Sequence, residues 1–160
     1  MTEPAHQEPP TSPLRQQLVD QHAQLDRALT EISRAADGGA ARDLRGAWSE
    51  LENLLVRHLE FEEKELFPRV EALHPDWTAG FRRDHTEIRR LLADLGIRVD
   101  LHALRKAELD ELVAALRAHA EREDATVYRW AGEAAPADTR RHLLSLLART
   151  TAADLRGDYK

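Results

Sequence analysis

The segment that most constrains this chain is Arg57 to Pro68, RHLEFEEKELFP. His58 and Glu62 lie four residues apart, which on a helix places both side chains on one face about one turn apart. Leu44, Trp48, Leu51 and Leu55 before them, and Leu66 after, fall on that same face. The steps from Leu44 to Leu66 run four, three, four, three, four and four, the rhythm of a helix-bundle seam. A histidine and a carboxylate therefore stand where core leucines belong. An unpartnered buried carboxylate costs several kcal/mol, so it is normally paired or bound to a metal. A metal ion inside a helical bundle explains the pattern economically.

Composition agrees with a bundle. The 160 residues suffice for one domain with a core, and Leu, Ala, Arg and Glu dominate while Gly and Pro are few. The net charge of −6 argues against a nucleic-acid partner or an anionic membrane surface. There is no cysteine, which excludes disulfides, thiolate metal sites and cysteine catalysis. No apolar run approaches the roughly 20 residues of a membrane span, and the N-terminus lacks a signal-peptide pattern. A cytoplasmic protein is the resulting expectation.

Along the chain, residues 1–11 (MTEPAHQEPPT) read as a disordered tail. Ser12-Pro13 is a helix start, and the stripe Leu14, Leu18, Leu25, Leu29, Ile32 has His22 in its seam. Asp37-Gly38-Gly39 ends that helix. The second helix is expected from about Ala40 to Leu73, kinked by Pro68. His74-Pro75-Asp76 breaks the chain, and Asp76 is the expected cap of a third helix with Phe81, His85, Ile88, Leu92 and Leu95 inward. Gly96 to about His102 reads as a connector. The fourth helix is expected from about Ala103 to Gly132, with Leu109, Leu112, Leu116, His119, Glu123, Val127 and Trp130 inward; histidine and glutamate again stand four apart. Pro136 opens a short fifth helix carrying Leu143, Leu144, Leu146 and Leu147. The expected architecture is all-α: an up-down-up-down four-helix bundle over residues 12–150, with a C-terminal tail at 151–160.

At a rise of about 1.5 Å per residue, His22 and His58 lie at matching depths of one hairpin to within about a turn, as do Glu62 and His85 across the next. Four helices then send His22, His58, His85, His119, Glu62 and Glu123 into one layer. One seam histidine is more often a hydrogen-bonded core residue; four, with two inward glutamates, point to metal. His6, His74, His102 and His142 lie in a tail, at breaks or off the seam and are read as non-ligands. Glu65, seven residues after His58, returns to the same face of a regular helix and is read as a surface residue, with an outer contact to the metal or an extra ligand as the other options.

Taken together, the order His22, His58-x3-Glu62 within HLEFEEKELFP, Asp84-His85 and His119-x3-Glu123 resembles the hemerythrin-like (HHE cation-binding) domain over about residues 14 to 130. The resemblance implies a four-helix bundle holding two non-haem irons as cofactors in an oxo- or hydroxo-bridged pair. It implies His22 and His58 on one iron, His85 and His119 on the other, and Glu62 and Glu123 between them. The sequence departs from oxygen-carrying hemerythrins in two places. Phe81 stands where a second third-helix histidine is expected, and the fourth-helix carboxylate is a glutamate at i+4 instead of an aspartate at i+5. One iron thus lacks a protein ligand, which counts against simple reversible oxygen carriage.

Imidazole with carboxylate suits iron, manganese or zinc. The Glu-x2-His pattern of ferritin-like sites is absent, because Leu55 and Leu116 precede His58 and His119 by three. The expected function is binding or reduction of a small oxidant (dioxygen, hydrogen peroxide or nitric oxide), with Phe81 and nearby leucines keeping the pocket apolar. The alternatives are a metal- or oxidant-dependent sensor, a metal-free helical interaction module, and metal storage.

Overall fold

The computed structural model describes residues 12–38 and 41–156, with backbone alone at 41–42 and 151–156. The expectations for residues 1–11, His6 included, lie outside this range. Helix α1 spans Pro13–Gly38. Ser12 starts it through its carbonyl, which accepts the Gln16 N–H at 2.9 Å. Leu14, Leu18, His22, Leu25, Leu29 and Ile32 form its buried stripe.

Helix α2 (Ala41–Phe61) continues into a π turn (Glu62–Leu66) and then a short helix, α3 (Phe67–Glu71). The irregularity expected at Pro68 thus falls one turn earlier. Proline cannot donate to the carbonyl four residues back and its ring crowds it. A wider turn ahead of it relieves this: the Phe67 N–H reaches back five residues to Glu62 O.

Helix α4 spans Ala79–Asp100 and α5 spans Lys106–Ala125. The residue before α4 is Thr78, not the expected cap Asp76; its buried hydroxyl donates to Glu71, which also accepts Arg82 Nε at 2.8 Å. The connector expected from Gly96 is helical to Asp100, and the turn is confined to 101–105, where His102 takes φ 55°. The single fourth helix is broken at Thr126, whose φ −123°, ψ −88° is not helical, and α6 (Val127–Glu133) follows. The C-terminal helix α7 is not short. It runs Ala137–Arg156, past the boundary expected at 150, and buries Leu143 and Leu147 while Leu144 and Leu146 are half-buried.

No strand occurs among the described residues. Helix α1 packs on α2, α5, α6 and α7, α2 packs on α4, and α4 packs on α5. Two apolar clusters result. One holds Leu25, Leu29, Leu51, Leu55, Leu59, Ile88, Leu92, Leu112 and Leu116. The other holds Leu14, Leu18, Leu66, Phe67, Phe81, Val127, Tyr128 and Leu147. Each fully buried leucine contributes about 1.5–3 kcal/mol. On α1 and α4 the seam histidine lies between a residue of each cluster, His22 between Leu18 and Leu25 and His85 between Phe81 and Ile88, so the polar layer falls between the two clusters. Among the described residues no helix is long and apolar enough to cross a membrane.

Candidate metal centre

The six seam residues converge. His22, His58, Glu62, His85, His119 and Glu123 are all buried, both glutamates completely. Glu123 Oε1 lies 3.0 Å from His119 Nε2 and 3.6 Å from His85 Nε2, and its Oε2 lies 3.2 Å from His22 Nε2. Glu62 lies 3.4 Å from His58 Nε2 and 3.3 Å from His85 Nε2. Their donor atoms form two compact sets, His22–His58–Glu62–Glu123 and Glu62–His85–His119–Glu123, each within 4.8 Å. Both glutamates belong to both sets.

The surroundings repeat as if by a two-fold axis. The residue before each leading histidine bonds the ring on its hairpin partner: Gln21 Oε1 meets His58 Nδ1 at 3.1 Å, and Asp84 Oδ2 meets His119 Nδ1 at 3.1 Å. The residue after each glutamate crosses to the other hairpin: Glu63 Oε1 meets His85 Nδ1 at 2.9 Å, and Asp124 Oδ1 meets His22 Nδ1 at 3.0 Å. The ring five residues after each glutamate packs on the same crossed histidine, Phe67 on His85 at 5.2 Å and Tyr128 on His22 at 4.6 Å. The paired histidines match too, His22–His58 at 5.0 Å and 67° and His85–His119 at 4.8 Å and 68°.

These partners settle the tautomers. A carboxylate or amide oxygen accepts only, so Nδ1 carries the proton of each neutral ring and Nε2 turns its lone pair inward. Arginines hold two of the acceptors. Arg89 grips Glu63 at 2.6 and 2.9 Å, and Arg122 Nη2 reaches Asp84 at 2.5 Å. The sequence reading missed this outer ring. It also missed that Asp124 stands at i+5 from His119; the structure turns Glu123 inward and places Asp124 on His22.

Without a metal the layer is strongly polarised. Burial disfavours the imidazolium of His22, but the hydrogen bond to Asp124, the close approach of the Glu123 carboxylate and the charge of Glu62 outweigh it and raise its pKa to about 9. Burial likewise opposes the imidazolium of His85, and Glu123 and Glu62 raise its pKa to about 10. For His58 burial wins over the charge of Glu62, and the ring is held neutral. Burial pushes the Glu123 carboxyl up, yet three histidines bring it well below the ordinary range. The Tyr128 phenol is driven well above its usual value by burial and by the charges of Glu62 and Glu123.

Five buried side-chain atoms lack a hydrogen-bond partner among the described residues: His58 Nε2, Glu62 Oε2, both Glu123 oxygens and Trp48 Nε1. All but the last point into this layer. Such atoms cost about 1–3 kcal/mol each when left unmet, and a cation between them meets them together. Imidazole and carboxylate in this proportion fit iron, manganese or zinc.

Glu65 does not join the layer. The π turn rotates it outward, where it pairs with Arg69 at 3.1 Å. Phe81 fills the space beside the centre, edge-on to His119 at 5.7 Å and against Phe67 at 6.1 Å. A cavity next to the centre lies elsewhere. It measures about 40 Å³ and is lined by His22, His58 and His119 with Leu25, Leu29, Leu55, Leu59 and Leu116. Phe81 does not line that cavity, which leucines line instead. His74 stacks on Trp77 at 4.0 Å, and His102 and His142 are exposed, all away from the centre.

Comparison with curated proteins found no match, and comparison with solved structures found none. The family model described as the hemerythrin HHE cation binding domain matches residues 14–145. With that match spanning every seam histidine and both glutamates, the chain belongs to the hemerythrin HHE cation-binding domain family.

Proposed function

We propose that this chain is a non-haem di-iron protein that binds or reduces a small oxidant, namely dioxygen, hydrogen peroxide or nitric oxide, in an up-down-up-down four-helix bundle. One observation carries the reading: two four-donor sets share both of their carboxylates. In this reading His22 and His58 hold one ion, His85 and His119 hold the other, and Glu62 and Glu123 bridge them. Bound iron supplies exchangeable coordination positions and redox equivalents. The chain supplies the rest. Gln21, Glu63, Asp84 and Asp124 orient the rings, and the leucine clusters exclude water. The small apolar cavity beside His22, His58 and His119 suits a diatomic or similarly small ligand, with the Asp26–Arg117 pair (2.7 Å) among its lining residues.

The test is metal content of aerobically purified protein together with its near-ultraviolet and visible spectrum. About two irons per chain with oxo-bridge charge-transfer bands is the expected result. Iron-loaded protein that neither binds nor consumes any of the three oxidants would sink the proposal.

A regulatory module that reports metal or oxidant is the second reading. The orphaned polar atoms favour it, because they tie the stability of the core to the ion. Chelation that leaves the melting temperature and protease resistance unchanged would count against it.

A further inference from the structure

Tyr128 breaks the two-fold repeat at the centre itself. Its counterpart, Phe67, presents no polar atom to His85. The Tyr128 hydroxyl is fully buried, donates to Glu62 Oε1, and lies 3.0 Å from His22 Nε2. Its single proton goes to the glutamate, so its lone pairs are left for the interior that His22 Nε2 also faces.

The distances fit coordination. Two donors about 2.1 Å from one six-coordinate ion, at right angles to each other, lie about 3.0 Å apart. That is the separation of Tyr128 Oη from His22 Nε2. An ion held by His22 Nε2 and Glu62 Oε1 would have Tyr128 Oη, which contacts both of those atoms, close enough to donate to it. The ring cannot easily withdraw, because it stacks on His22 at an interplanar angle of 19°.

We propose that Tyr128 Oη is a seventh protein donor, given to the ion that His22 and His58 hold; this rests on the metal-binding reading above. Coordination forms a metal–phenolate bond and breaks the phenolic O–H, whose proton leaves to solvent as the ion enters. No electron is transferred. The two ions then differ. The one between His22 and His58 gains an anionic oxygen. The one between His85 and His119 faces Phe67 and Phe81 and gains no such donor.

The experiment compares wild-type protein with Tyr128→Phe and Phe67→Tyr, each loaded with ferric iron and assayed for iron per chain, visible absorption and resonance Raman scattering. Phenylalanine is tolerated at the matching position 67, so Tyr128→Phe should fold and keep its iron. The expected wild-type result is a phenolate-to-iron charge-transfer band with enhanced phenolate ring modes, both lost in Tyr128→Phe at unchanged iron content. Phe67→Tyr should roughly double the band by placing a second phenol on the other ion. Metal titration should release one proton more from wild type than from Tyr128→Phe. Wild-type protein that holds two irons without phenolate modes overturns the inference, reduces Tyr128 to a hydrogen-bonding prop for Glu62, and leaves the di-iron reading standing.

Discussion

Raising the pH of metal-stripped protein tests the electrostatics of the centre most directly. The folded pKa values of His22 and His85, about 9 and about 10, lie above the unfolded value of 6.5. A raised pKa means that the folded state holds its protons more tightly. The stabilisation is complete below about pH 6.5 and is lost as the pH rises through about 9 and 10. Shifts of this size are each worth on the order of 3–5 kcal/mol. Both rings lean on the same two glutamates, so the contributions overlap, and a combined loss of about 5 kcal/mol is expected between pH 6 and 10. That is a large share of the 5–15 kcal/mol typical of a domain. For a chain of this length it corresponds to a drop of about 10–20 °C in Tm. Thermal melts followed by far-ultraviolet circular dichroism, with and without metal, read it out. Loaded protein, whose imidazoles are neutral and ligated, provides the comparison and should fall much less over the same range. A metal-free Tm that stays level, or a loaded Tm that falls in parallel, would refute the reasoning.

Three further outcomes follow from particular contacts. Glu62→Ala should lower metal content sharply and Glu65→Ala should change it little, since only Glu62 faces the histidines; equal losses by elemental analysis would mean that the π turn is misplaced. Asp84→Asn removes the charge behind His119 and should weaken metal binding about 10–100-fold in a competitive chelator titration. Gly132→Ala should destabilise by about 1–3 kcal/mol in urea melts, because its new methyl would lie 2.8 Å from Arg15 Cβ where α6 crosses α1.

The ring of six inward residues was legible in the sequence because a seam at helical spacing marks any polar intruder, and His22, His58, His85 and His119 each intrude once. The residues missed share one cause. Nine positions along a regular helix turn a side chain through about 180° from where it began. Phe67 and Tyr128, nine after His58 and His119, should therefore face outward. The π turn at Glu62–Leu66 and the break at Thr126 reset the register and bring both rings inward. The same reset turns Glu65 away. No periodicity within one helix carries that information, because it depends on how Pro68 and Thr126 are accommodated. The Nδ1 partners were hidden for another reason: two of the four, Glu63 and Asp124, reach histidines of the opposite hairpin, and one-dimensional spacing does not report such crossings.

The sharing of Glu62 and Glu123 has a simple reading in coordination chemistry. The hairpin of α1 and α2, with the turn that follows it, supplies two histidines and one carboxylate, and the hairpin of α4 and α5 supplies the same. Two histidines with one carboxylate are the facial set by which mononuclear non-haem iron is commonly held. In the proposed di-iron reading the centre is two such sets pressed face to face, each lending its carboxylate to the other. A single hairpin is the smallest piece of this chain that carries a complete set, and only their closure makes a pair.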